Sequence, residues 1–303
     1  MTRGLSSQAF PHEFSIDSDM TIPARVSLRL ELACLQRIAD SSGARVLHVK
    51  GEALHPVLMV GRGPSSDCDV LVHPDDLRRF VTELEQCGWE LRTTFRYGSI
   101  FEHAATYYHP SWGTVDVHRH FPGLDADPTL TFQEFWASRD IVSIGGVAVN
   151  IPSLLSQRVI LLAHAARDAM GRSELDRRNA WDLADEITRQ KIDELAARLG
   201  GRVPIHIATG RADAVVGERG FRVWSAMYAN ADPTEIWHAR IRDAEPGLPT
   251  LKLLLEATRP NPDHLAIRLG HKPSTAEMRR EWWQRWLRGG RRLWRLARRD
   301  LRV

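Results

Sequence analysis

Ser66-Asp67-Cys68-Asp69-Val70-Leu71-Val72 is the stretch that decides the fold. Val70, Leu71 and Val72 favour a strand, and a strand's two-residue period puts Asp67 and Asp69 on one face and Cys68, Val70 and Val72 on the other. Val115-Asp116-Val117-His118-Arg119-His120 repeats the pattern, with Val115 and Val117 toward a core and Asp116, His118 and His120 opposite. If the two strands neighbour each other in one sheet, three carboxylates converge. Unit charges about 4 Å apart repel by roughly 1–4 kcal/mol, so such a cluster calls for a cation or a proton. Oxygen ligands of this kind suit Mg²⁺ or Mn²⁺.

Working outward, Leu47-His48-Val49-Lys50-Gly51-Glu52 ends a strand at a glycine and enters a helix, a junction where backbone N–H groups can hold phosphate. Lys50 adds a point charge there, in a chain with only four lysines among its 41 basic residues. The spacing predicts a helix from Pro23 to Asp40 with Val26, Leu30, Ala33 and Leu35 or Ile38 on its apolar side, and strands over Ala44–Val49, Asp67–His73 and Thr114–His120. A short helix is expected over Glu52–Val60, a loop over 61–66, and a helix opened by Pro74-Asp75-Asp76 and stopped by Gly88. After Gly145-Gly146 the period becomes helical, over Ser153–Met170, Glu174–Arg189 and Ile192–Leu199. This divides the chain into an irregular N-terminus (1–22), an α/β unit (23–150), a mainly helical unit (151–275) and a basic tail (276–303).

The order of these residues resembles the polymerase-β-like nucleotidyltransferase superfamily, and within it the nucleotidyltransferases with a Lys-Gly, Arg, Ser-Asp-x-Asp and Val-Asp-x-His signature. The matching residues are Val49-Lys50-Gly51, Arg62, Ser66-Asp67-Cys68-Asp69 and Val115-Asp116-Val117-His118. The resemblance covers about residues 30–120 and continues loosely through Leu161-Leu162-Ala163-His164 and Arg178-Asn179-Ala180-Trp181-Asp182. It implies an α+β fold with a mixed sheet, two divalent cations held by Asp67, Asp69 and Asp116, and transfer of a nucleoside monophosphate from a nucleoside triphosphate to an acceptor. On this reading Asp116 is the general base, Lys50, Gly51, Arg62 and Ser66 face the triphosphate, and His118 orients Asp116 or touches the acceptor. The superfamily has Gly-Ser or Gly-Gly where this chain has Gly51-Glu52. A glutamate cannot donate to phosphate as serine does, so the competing expectation is a catalytically reduced module that binds nucleotide or a partner.

Composition narrows the classes further. With 43% hydrophobic and 26% charged residues the 303-residue chain can bury a core and is neither disordered nor collagenous. Cys34, Cys68 and Cys87 form no CxxC pair, which argues against a disulfide framework and for a reducing, cytoplasmic setting. No apolar leader or spanning stretch is legible. Gly-x-Ser-x-Gly, His-Glu-x-x-His, Walker A and Rossmann glycine patterns are missing. His103, His109, His118 and His120 allow zinc as an alternative metal. His164 reads as a core histidine, and Arg178 with Asp182 as a surface i,i+4 pair. The net charge of +3 hides an asymmetry, because residues 276–303 carry ten arginines against three acids and leave an acidic body. That body offers nucleic acid no basic face near the site. In the tail Trp282, Trp283, Trp286, Leu287, Leu293, Trp294, Ala297 and Leu301 recur at near-helical spacing, with Gly289-Gly290 expected to split two helices, and an anionic surface is a candidate partner.

Overall fold

The computed structural model describes residues 22–167, 173–244 and 247–300. The expected irregular N-terminus and the end of the helix expected to reach Met170 lie outside the described residues. Five strands form a mixed sheet: β1 (Val46–Val49), β2 (Cys68–Val72), β3 (Glu90–Thr93), β4 (Ala104–His109) and β5 (Gly113–His118), in the spatial order β1-β2-β5-β4-β3. Only β2 and β5 run parallel; the other neighbours are antiparallel. A separate hairpin joins β6 (Asp140–Ile144) to β7 (Val147–Ile151). Its turn is Gly145-Gly146, both at positive φ, the conformation a two-residue hairpin requires.

The N-terminal half carries helices α1 (Ala24–Ser42), α2 (Leu77–Gln86), α3 (Phe95–Gly98) and α4 (Pro128–Ala137). Beyond the hairpin come α5 (Leu154–Ala165), α6 (Ser173–Arg177), α7 (Glu186–Arg198), α8 (Arg202–Ala208), α9 (Phe221–Tyr228), α10 (Pro233–Asp243), α11 (Leu248–Thr258), α12 (Pro262–Leu269) and α13 (Thr275–Asp300). The α+β class expected from the sequence is the one observed.

Alternation along the strands sends side chains into two cores. Val46, Cys68, Val70, Val72, Val115 and Val117 meet Leu28, Leu32 and Leu35 of α1, Phe80 and Leu84 of α2, and Val149 of the hairpin. From the opposite face Leu47, Val49 and Leu71 meet Phe132 and Phe135 of α4, Val159–Ala163 of α5 and Ile192 and Leu195 of α7. That second core therefore joins residues on both sides of position 150. Burying β2 on both faces leaves little room for polar groups, so Asp69, Asp116 and His118 are confined to the margin of the helix-covered face.

Several expected boundaries shift for identifiable reasons. On α1 Leu28 and Leu32 are buried while Val26 and Leu30 are exposed, because the buried stripe also holds a polar residue, Glu31. Residues 51–60 form two 3₁₀ turns, Gly51–Ala53 and Pro56–Leu58, since Pro56 cannot continue a helix across that span. β2 begins at Cys68, so Asp67 lies just before the strand, and β5 ends at His118, so His120 lies beyond it where the chain approaches Pro122. The helix expected over Glu174–Arg189 breaks into α6, a π turn at Arg178–Asp182, and α7. There Asp185 caps α7, its Oδ1 accepting from the Thr188 N–H at 2.7 Å. α13 runs unbroken through Gly289-Gly290; glycine weakens a helix by about 1 kcal/mol without obliging it to stop.

Candidate functional site

Register sets the centre of the site. Asp69 on β2 and Asp116 on β5 are direct partners across the parallel pair, and His118 stands two residues further along the same face. One ligand atom from each of Asp69, Asp116 and His118 lies within 4.8 Å of the others, and among the described residues no further group of three or more His, Cys, Asp or Glu comes so close. The buried Asp69 Oδ1 accepts from Lys50 Nζ at 2.6 Å and from His118 Nε2 at 2.8 Å. His118 Nδ1 is buried without a hydrogen-bond partner. Thr106 Oγ1 of β4 donates to Asp116 Oδ1 at 2.7 Å and fixes that carboxylate.

Asp67 stands at the side of this group. Its Oδ1 accepts from Ser65 Oγ and Ser66 Oγ, each at 3.2 Å. Burial, followed by the charges of Asp69 and Asp116, raises its pKa, with Lys50 opposing. Asp69 is the opposite case: burial alone would raise its pKa, but the Lys50 ammonium and the His118 bond outweigh burial and hold it below the ordinary carboxylate range. Three carboxylates and one ammonium in a partly desolvated space are the arrangement in which a divalent cation lowers the energy.

The turn at Lys50-Gly51 is backbone-strained. Lys50 has φ 60° and Gly51 φ 48°, and a left-handed conformation at a non-glycine residue costs on the order of 1–3 kcal/mol. A Cβ on Gly51 would meet Ser65 Cβ and Oγ at 3.2 Å, so glycine lets the 61–67 loop close against the turn. Gly51, Met59, Arg62, Gly63, Pro64, Ser65 and Leu175 line a cleft of about 200 Å³ between turn and loop. Glu52, the departure from the superfamily pattern, is buried with its Oε1 3.7 Å from Arg25 Nε of α1.

Arg62 forms an ion pair with Asp176 of α6, which is fully buried, and His164 Nδ1 of α5 lies 3.6 Å from the other oxygen of that carboxylate. Asn179, in the π turn, donates to the carbonyls of Leu58 (3.1 Å) and Val60 (2.8 Å), and Arg158 holds the carbonyls of Asn179 and Ala180. The helical part thus ties down the loop that carries Arg62. His164 is half-buried, and its pKa is pushed well below that of free histidine by burial first and then by the positive charges of Lys50 and Arg167.

Of the residues singled out in the sequence, Asp69, Asp116, His118 and Lys50 come together, Asp67 and Ser66 flank them, and Gly51 and Arg62 line the adjacent cleft. Asp176 and Thr106 were not singled out, and Asn179 only as part of the Arg178–Asp182 stretch: each acts through long-range contacts, for which a single sequence carries no signal. Asp182 pairs with Arg177 at 3.1 Å and not with Arg178, because the π turn alters the helical spacing. The four-histidine zinc alternative is not formed. The His109 ring packs on Trp89, 5.5 Å between centroids, and His103 Nδ1 is engaged by Ser99 Oγ at 2.6 Å, although the His103 ring lies 5.1 Å from that of His118.

A family of uncharacterised nucleotidyltransferases matches residues 7–217, well over half of the chain, and the chain belongs to that family. It is a nucleotidyltransferase, as the resemblance of its motifs implied. Among solved structures it is similar to the lincosamide antibiotic adenylyltransferase LnuA with lincomycin bound, at 16% identity and a TM-score of 0.36, over 51% of this chain and 97% of that one. It is also similar to the antibiotic-resistance factor ANT(2'')-Ia, at 13% identity and a TM-score of 0.34, over 63% and 91% of the two chains. A third likeness is to an antigenic nucleotidyltransferase-like protein from Paracoccidioides brasiliensis, at 16% identity and a TM-score of 0.37, over 60% and 91%. No curated protein matches the chain. No helix of the described residues is long and apolar enough to cross a membrane.

Proposed function

We propose that this nucleotidyltransferase transfers a nucleoside monophosphate from a nucleoside triphosphate to a hydroxyl or phosphate acceptor, with pyrophosphate leaving, with Mg²⁺ or Mn²⁺ at Asp69 and Asp116 and with Asp67 completing a two-cation site. The carrying observation is the register that pairs Asp69 with Asp116 and brings His118 into the same 4.8 Å group. The donors fit hard divalent cations: the carboxylate oxygens of Asp69 and Asp116, with that of Asp67 beside them, its pKa raised by burial first and then by the charges of the other two. When bound, the cations supply electrostatic stabilisation of the charge developing on the phosphoryl oxygens.

The chain's own groups do the rest. Asp116, oriented by Thr106, accepts the acceptor's proton as general base. His118 holds Asp69 in place through Nε2 and faces the acceptor side with Asp116. Lys50, on a flexible stem, turns its ammonium from Asp69 to the triphosphate, while Gly51 and Ser66 allow and support the close approach of the loop. Arg62, anchored by Asp176, brings positive charge to the wall of the cleft. Residues 23–150 form the catalytic unit and 151–275 the helical unit that positions its loop.

Incubation with each α-labelled nucleoside triphosphate and Mg²⁺, in the presence of cell-extract small molecules, tests this reading. Label on an acceptor, lost in Asp116→Asn, is the expected result. Mg²⁺-dependent thermal stabilisation by ATP with no label transfer would favour the catalytically reduced module; a ligand at 100 times its Kd adds about 2.7 kcal/mol.

A further inference from the structure

The helix α13 faces the rest of the protein the wrong way round for a helix stabilised by apolar packing. Among its contacts with the body are two polar ones: Glu281 pairs with Arg268 of α12 at 2.5 Å, and Arg285 Nη1 donates to the Arg259 carbonyl at 2.9 Å. Trp283, Trp286 and Leu287, at the i, i+3, i+4 spacing of one helix face, are 62%, 50% and 59% exposed. Trp282, beside them, contributes its ring to the same aromatic group, 5.0 Å from Trp283 and 5.8 Å from Trp286 between centroids. A surface helix ordinarily buries its apolar stripe against the core and turns its charges to water. Here three large apolar side chains are displayed in one row.

The sequence continues both stripes. Leu293, Trp294 and Ala297 follow Trp283, Trp286 and Leu287 at helical period, while Arg288, Arg292, Arg295 and Arg299 recur at the same period on the other side. Residues 276–303 carry ten arginines against three acids. The helix runs 26 residues without a break, yet it is far too charged to span a bilayer. Trp and Leu on one face with Arg on the other is the composition of a helix lying in the plane of a membrane interface, where indole rings enter the headgroup region and guanidinium groups meet lipid phosphates.

We propose that α13 is a docking surface for an anionic lipid bilayer. Charge complementarity selects this occupant: an apolar row alone would suit a second copy of the chain, but flanking like charges of this density would repel in such a pair. The docking is a property of the helix and does not depend on the transferase reading.

Co-sedimentation of the full-length chain with vesicles tests it, using phosphatidylcholine alone and phosphatidylcholine mixed with phosphatidylserine. The chain is expected to pellet with the mixed vesicles at low salt, to be released as salt rises, and to remain in the supernatant with the neutral ones. Trp283→Ser, Trp286→Ser and Leu287→Ser combined should abolish pelleting while leaving the thermal midpoint in place. Arg288→Gln, Arg292→Gln and Arg295→Gln combined should weaken binding about 100-fold, at roughly fivefold per arginine. A chain that stays in the supernatant with phosphatidylserine vesicles at low salt overturns the proposal, as does equal pelleting with neutral vesicles or unchanged pelleting of the triple serine variant. Self-association without vesicle binding, lost in that variant, would assign the face to a second copy and overturn it equally.

Discussion

Two buried carboxylates flank β2, Asp69 near its start and Asp76 in the turn beyond its end, and both are held below the ordinary carboxylate range. In each, burial pushes the pKa up and bonded cations pull it down further. The means differ. Asp76 accepts the Arg45 backbone N–H at 2.9 Å, Arg45 Nε at 2.6 Å and Arg45 Nη2 at 3.0 Å, and pairs with Arg79. Its oxygens are engaged by a planar fork that fixes the end of the strand and leaves a metal ion no approach. Asp69 is held by one ammonium and one imidazole, with Asp67 and Asp116 close enough to repel it. A carboxylate saturated by a fork is structural. One balanced by a mobile point charge among like charges can exchange partners, as binding and turnover require.

The sharpest way to break this comparison is Asp116→Asn. Removing one of three crowded acids should lower turnover by about 10³-fold, as for loss of an electrostatic contact to the transition state, while the thermal midpoint stays level or rises. Label transfer and a melting curve on the same sample decide it, and full activity would remove Asp116 from the reaction. Asp76→Ala should show the reverse: about 2 kcal/mol of stability lost in urea titration, because the Arg45 backbone N–H and guanidinium lose their charged acceptor, with turnover per folded molecule retained. A loss of activity as deep as that of Asp116→Asn would erase the distinction between the two ends.

A third acid sharpens the contrast because no base accompanies it. Glu31 of α1 lies buried beneath β2 beside the Cys68 thiol, and burial raises its pKa from 4.5 to about 8. The folded protein keeps this proton up to about pH 8, while the unfolded chain releases it near 4.5. Stability is therefore highest below pH 4.5 as far as this group is concerned, and falls as pH rises toward 8. The slope is at most about 1.4 kcal/mol per pH unit, so about 2 kcal/mol is expected between pH 5 and 7 after partial solvation of the opened state. Glu31→Gln should flatten the dependence of the midpoint over that window. A variant curve parallel to the parent's would show that Glu31 is not the group responsible.

The smallest effect separates charge from backbone strain at Lys50. Lys50→Ala should weaken Mg²⁺-nucleotide binding about tenfold through loss of a charge-assisted contact, and Lys50→Arg should also weaken it because a fork does not replace a compact ammonium. Lys50→Gly should lose the same affinity but be about 1 kcal/mol more stable than Lys50→Ala, since both lose the pair with Asp69 and only glycine accepts φ 60° without strain. Nucleotide titration of all three variants, with their melting points, makes the check; undiminished affinity in Lys50→Ala would confine Lys50 to neutralising Asp69.

Much of the centre was legible in the chain because short-range geometry determines it. A two-residue period is enough to put Asp69 opposite the valines of β2, and Asp116 and His118 together on β5, and the Gly at 51 marks a turn wherever the strand ends. The α+β class and nucleotidyltransferase family follow from the same few motifs. Boundaries were less legible where side chains compete with backbone, as when Asp185 starts α7 or Pro56 restricts the turn after Lys50.

What the sequence by itself determined is the alternation of faces, the acidic pairs, the strand-glycine junction and the basic, tryptophan-rich stripe of the tail, all consequences of local backbone period and residue chemistry. Only the tertiary structure decided that β2 and β5 are parallel neighbours in matching register, that Lys50 is spent on Asp69 in this state, that Arg62 is anchored by Asp176, and that α13 exposes Trp283 and Trp286. Those facts depend on contacts between residues tens to more than a hundred positions apart. Their energies come from burial and charge pairing across elements, which no local window of sequence contains.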